Sequence, residues 1–123
     1  MSDLSRRPAA CAGFKPLPGM LDISGVRCVC LSDGQLAGWD EVNTEICEWS
    51  ADELDLDDPG TLGCLLALVR EAWACPGAYA RESGQGGWVV CVRRLDPTGP
   101  VVAGPFRALT EAEALVAALE AAP

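Results

Sequence analysis

The sequence predicts an α+β fold, a mainly antiparallel sheet of about five strands with two helices packed on it, and three observations predict it. Short alternating runs are separated by glycine-rich turn signals. Two segments repeat apolar residues at helical spacing, and each of these begins with a side chain able to cap a helix. With 123 residues, half of them hydrophobic, the chain encloses one ordinary core, so residues 21–123 are read as a single α+β domain.

The first twenty residues, MSDLSRRPAACAGFKPLPGM, follow neither period and are expected to form a flexible or partner-ordered arm, with Phe14, Leu17 and Met20 as its anchors. From Ser24 onward, Val26, Cys28 and Cys30 alternate with Arg27, Val29 and Leu31, which is a strand. Asp33-Gly34 suits a two-residue type I′ turn, because both residues tolerate positive φ, and a return strand runs from Leu36 to Trp39. EVNTEICEWS places Val42, Thr44 and Ile46 on one side and is read as a third strand.

In DDPGTLGCLLALVREAW, Asp58 is the expected N-cap and Pro59 fits the first helical position, where its missing amide costs nothing. Leu62, Leu65, Leu66, Val69 and Trp73 form one stripe of the helix, and Cys64 and Leu68 widen the apolar surface beyond what one sheet hides. A second cover is needed, either the terminal helix or another copy of the chain. Cys75-Pro76-Gly77 ends the helix. AYARES and WVVCVRRL flank SGQGG as a second hairpin, and after DPTGP the run VVAGPFRAL is a last strand, bent or placed at an edge by Gly104-Pro105. Thr110 and Glu113 have capping-box spacing, so residues 111–121 form a helix with Ala112, Leu115, Val116 and Leu119 inward.

Eighteen acidic residues against nine basic ones, a net charge of −9, oppose a broad grip on nucleic acid phosphates. No apolar run reaches the roughly 20 residues of a membrane span, and no signal-peptide core is present, so a cytoplasmic protein is expected. The chain has no histidine, which removes the common nucleophile triads and every histidine-containing metal site. Cys28 and Cys30 are the sharpest candidate zinc pair, but neighbours on one strand face stand roughly 6.6 Å apart, too far without a bend. A calcium loop at Asp55 and Asp57 fails at Pro59 and Leu66. The seven cysteines, an odd number without framework spacing, read as buried thiols. Neither a metal nor a cofactor is expected, and SGQGG lacks the lysine and following helix of a phosphate loop.

The residues that point to a ligand lie on the second hairpin. With Ser83 opposite Trp88, the residues Tyr79, Arg81, Trp88 and Arg94 share one face, where aromatic rings beside guanidinium forks suit a planar anion such as a nucleotide. The competing reading makes Trp88 and the valines core and lets the arginines reach outward.

LDLDDPGTLGCLLALVREAW and the closing TEAEALVAALEAAP resemble recurrent segments of small proteins encoded by tailed phages and prophages. The resemblance covers about a quarter to a third of the chain; where that pattern continues with glycine and aspartate, this chain has Ala74 and Cys75. It carries no activity, catalytic residue or cofactor, and implies only a phage setting. The expectation is therefore a non-enzymatic binding protein, a counter-defence factor that sequesters a small nucleotide-derived signal. The alternative is an acidic adaptor or inhibitor that binds a host or phage protein directly. The surplus apolar surface predicts a homo-oligomer, with a symmetric dimer favoured.

Overall fold

Both expected helix starts form as the side chains dictate. The computed structural model describes residues 4–96, 99–102 and 105–123, with only the backbone described for 93–96 and 99–102. The Asp58 carboxylate accepts the Thr61 amide at 2.9 Å and begins α1 (Pro59–Ala72). The Thr110 hydroxyl accepts the Glu113 amide at 3.1 Å and begins α2 (Glu111–Glu120). Each cap satisfies an amide that the first turn leaves without a partner. At the far end of α1 the Cys75 amide donates to the Arg70 carbonyl at 2.8 Å and the Ala74 amide to the Glu71 carbonyl at 3.1 Å. This double closure needs a left-handed residue, and Ala74 supplies it at φ 51°.

The strands follow as β1 (Val26–Cys30), β2 (Leu36–Asp40), β3 (Glu45–Cys47), β4 (Tyr79–Glu82), β5 (Trp88–Cys91), β6 (Arg93–Asp96), β7 (Gly99–Val102) and β8 (Phe106–Ala108). The α+β architecture is as predicted, but the strands divide into two antiparallel three-stranded sheets, β1-β2-β3 and β4-β5-β8, with β6 and β7 paired separately. WVVCVRRL is thus split at Val92, and VVAGPFRAL is split between β7 and β8. The pairing offset changes by one residue between Val90↔Phe106 and Arg93↔Val102, so alternation does not carry through the run. The expected DPTGP turn and Gly104-Pro105 bend include residues 97, 98 and 104, which lie outside the described residues.

Both hairpins close with a three-residue loop, the first in place of the expected two-residue Asp33-Gly34 turn and the second in place of the four-residue loop implied by Ser83 opposite Trp88. Leu31 donates its amide to Gln35 at 2.8 Å and Gly34, at φ 86°, donates to Leu31 at 2.9 Å. In the second hairpin Ser83 donates to Gly87 at 2.9 Å and Gly86, at φ 93°, donates to Ser83 at 3.1 Å. In the first loop one left-handed glycine does the work that a type I′ turn divides between two residues, and in the second Gly86 is followed by Gly87, also left-handed at φ 80°. The third strand is also shorter than expected. Asp40 accepts the amides of Val42 and Asn43 at 2.9 and 3.1 Å, which turns residues 41–44 and leaves only Glu45–Cys47 as strand.

The expected loose arm is replaced by residues 4–20 lying on the chain's own core. Pro8 and Met20 are buried, and Phe14 and Leu17 pack against the core cluster. Carboxylates from three other segments hold the arm's cations: Glu53 pairs with Arg6 at 2.9 Å, Glu71 with Lys15 at 2.8 Å, and Glu120 with Arg7. The arm also answers what covers α1. Leu68 is fully buried in a core that includes Leu115 and Leu119 of α2, and the Cys64 thiol donates to the Pro18 carbonyl at 3.4 Å. Both covers come from the same chain.

A polar clasp joins β1 to the start of α1. Arg27 donates to both Asp58 carboxylate oxygens at 3.1 Å, to the Gly19 carbonyl at 2.8 Å and to Glu41 at 2.6 Å. The Thr61 hydroxyl adds a 3.1 Å bond to Asp58 and itself accepts the Leu21 amide at 2.9 Å. Among the described residues no helix is long and apolar enough to cross a membrane.

Candidate functional site

The register of β4-β5-β8 decides which side chains can meet. Glu82 stands opposite Trp88, Arg81 opposite Val89 and Tyr79 opposite Cys91, one residue away from the expected pairing. In a sheet that slip reverses a face. Ala80, Trp88, Val90, Phe106 and Ala108 consequently turn toward α2 and pack with the core, while Tyr79, Arg81, Val89, Cys91 and Arg107 share the opposite face. Trp88 is therefore not beside Arg81, which corrects the grouping read from the sequence. Arg94 belongs to β6, where its backbone pairs with Val101, and its side chain lies outside the described residues.

The outer face gains an arginine that sequence reasoning missed. Arg81, Val89 and Arg107 form one row across three strands, because Val89 pairs with both arginines. At the usual strand separation the two arginine Cα positions are about 9.6 Å apart, within reach of one ligand's two ends. Tyr79, 47% exposed, precedes Arg81 by two residues on the same face. The row was out of reach because it depends on β8 pairing with β5, a contact between segments some twenty residues apart. The one available signal was Phe106-Arg107-Ala108 itself, a polar residue alternating between two apolar ones.

The electrostatics set this face apart. Among the described residues Arg6, Arg7, Lys15 and Arg27 have carboxylate partners, and Arg70 donates to the Ala78 carbonyl at 2.7 Å. Arg81 and Arg107 are exposed and have no carboxylate partner among those residues. In a chain of net charge −9, two guanidinium groups left open on one row form a local positive patch.

Three of the groups suited to covalent or acid–base chemistry, Cys28, Cys64 and Asp58, are engaged by the fold itself. Burial pushes the Cys28 and Cys64 thiols up from their ordinary value, which disfavours the nucleophilic thiolate. Hydrogen bonding to Arg27 holds the Asp58 carboxyl below its usual range, and the cap on α1 occupies it further. Among the described residues no three histidine, cysteine or acidic side chains are placed to hold a metal ion.

Trp88 reaches a different feature. It lines a cleft of about 380 Å³ beside Leu56, Leu62 and the first turn of α2, on the opposite side of the sheet from the arginine row. No protein-family model matches the chain, and no curated protein or solved structure matches it.

Proposed function

We propose that this chain is a non-enzymatic binding protein that holds a small anionic ligand of nucleotide type on the Tyr79, Arg81 and Arg107 face. The observation that carries the reading is the pair of arginines left without carboxylate partners in one cross-strand row. Guanidinium forks bind phosphate through two parallel hydrogen bonds, and a tyrosine ring beside them offers a base a surface for stacking. In the phage or prophage setting suggested by the wording of the two helices, such a protein sequesters a nucleotide-derived defence signal in the bacterial cytoplasm.

Val89 at the centre of the row is buried while Arg81 and Arg107 on either side are exposed, so a ligand held by the two guanidinium groups keeps one side in water. A second copy related by a twofold axis supplies a facing arginine row and closes the site, so the proposal includes a dimer that the ligand stabilises.

Calorimetry against a panel of cyclic and linear nucleotides tests the reading. At least one member binds, and Arg81→Ala and Arg107→Ala each weaken it by about tenfold or more, the loss of a charge-assisted hydrogen bond. Trp88→Phe, on the other side of the sheet, leaves that binding unchanged. Light scattering gives twice the 12.9 kDa chain mass when ligand is present. No heat with any nucleotide discards the proposal; unchanged binding in both arginine variants moves the ligand elsewhere.

A further inference from the structure

The Trp88 cleft combines two properties that a buried seam of the fold does not need. Its apolar wall is built from separate segments of the chain: Leu4 from the arm, Leu56 from the approach to α1, Leu62 from α1, Trp88 from β5 and Ala112 from α2. Trp88 stays partly exposed there, and its indole N–H has no partner among the described residues, unlike those of Trp49 and Trp73, which donate to the Val26 and Ala118 carbonyls at 3.2 and 2.8 Å. The rim is acidic. Asp57, Glu111 and Glu113 line the same cleft, and none of the three forms an ion pair among the described residues, although Glu113 lies close enough to Arg7 to feel its charge; Glu41, Glu53, Asp58, Glu71 and Glu120 are all paired.

Glu111 and Glu113 have a local reason to stand in the first turn of α2, where they complement the helix dipole. Asp57, one residue before the Asp58 cap, stands at the start of a second helix, α1, and the tertiary fold brings it to the same rim. Three carboxylates around a tryptophan wall also repel one another, and the arrangement is relieved by a cation that brings its own hydrocarbon. A nucleotide is excluded from this cleft by the same charges.

We infer that the cleft is a second binding site, independent of the arginine face, and that its occupant is a basic amphipathic peptide segment of a protein partner. A lysine or arginine stem lies along Trp88, its charged head meets Asp57, Glu111 and Glu113, and a neighbouring apolar residue packs on Leu56 and Leu62. Charge complementarity selects the occupant: an acidic rim over an apolar wall fits a partner that is basic and greasy together.

The test uses the full chain and three labelled eight-residue peptides, of alternating leucine and lysine, of lysine alone, and of alternating leucine and glutamate, followed by fluorescence polarisation. The leucine–lysine peptide binds, the all-lysine peptide binds at least tenfold more weakly, and the leucine–glutamate peptide does not bind. Asp57→Asn with Glu111→Gln weakens the leucine–lysine peptide at least tenfold, and Trp88→Phe weakens it as well, with circular dichroism confirming that both variants fold. Should the double variant fail to fold, wild-type affinity must still fall steeply with added salt. Equal binding of the leucine–lysine and leucine–glutamate peptides, or binding that the double variant and salt leave untouched, overturns the inference. So does a two-copy mass by light scattering, in the absence of peptide and nucleotide, that the double variant abolishes, since the occupant is then a second copy of this chain.

Discussion

The two three-stranded sheets are held to the molecule in opposite ways. The sheet β4-β5-β8 turns Ala80, Trp88, Val90, Phe106 and Ala108 toward α2, which contacts all three of its strands. In β1-β2-β3, Cys28 is the one strand residue in the buried core cluster, while Leu36 and Ile46 remain exposed. That sheet is attached by polar links: the Arg27–Asp58 clasp, the Trp49 indole on the Val26 carbonyl, and backbone bonds between Cys28 and residues 19 and 20 at 2.8 and 2.7 Å. Burial of apolar area is non-directional and collective, whereas a clasp depends on a few groups in one protonation state. One half should therefore fail with the whole molecule, and the other should be able to loosen alone.

The largest expected effect comes from breaking the packed half. Leu115 is fully buried between α1 and the sheet that α2 covers. Leu115→Ala leaves a cavity and costs about 3 kcal/mol, enough to lower the melting temperature by about 10 °C. Urea unfolding should remain a single transition, because both helices and β4-β5-β8 lose the same contact. A loss no larger than that of the clasp variant below would erase the distinction between the halves.

The clasp comes next. Asp58→Ala removes the α1 cap and one of the two carboxylate partners of Arg27, at a cost of about 2 kcal/mol. Hydrogen exchange should quicken first in β1, β2 and β3, with β5 amides retaining more protection. Acid should imitate the substitution. Because Arg27 depresses the Asp58 pKa in the folded chain, the unfolded chain takes up a proton that the folded one refuses. The clasp's contribution is complete at neutral pH, begins to fade near the ordinary aspartate value of 3.8, and is lost as pH falls through the depressed folded value. In Asp58→Ala that share of the acid sensitivity disappears; an unchanged pH profile would mean the clasp does not tie the sheet down.

The same contrast explains what was legible in the sequence. Helix starts are local, so Asp58, Pro59 and Thr110 announced themselves, as did the inward set Leu115, Val116 and Leu119. Register is less local. A glycine pair in SGQGG marks a turn but not its length, and the single-residue difference between a Ser83–Gly87 and a Ser83–Trp88 closure moved Trp88 from the arginine side to the acidic cleft. Arg107 required knowing that β8 returns to β5, and the arm required knowing that carboxylates as distant as Glu120 would hold Arg7. Both are consequences of tertiary pairing that no window of sequence contains.

The smallest expected effect, a gain, separates the halves most cleanly. Ala74 sits at φ 51°, where its Cβ crowds the backbone and glycine does not. Ala74→Gly relieves that strain but enlarges the unfolded ensemble, so the net gain should be about 0.5 kcal/mol. The closure it strengthens leads through Cys75 and Ala78, both buried, directly into β4. Exchange protection should therefore rise across α1 and β4-β5-β8, while β1-β2-β3 keeps its own opening rate and the Asp58 pH profile does not move. A loss of stability in Ala74→Gly would contradict the left-handed closure, and a matching rise in β1–β3 protection would contradict the division into a packed half and a clasped half.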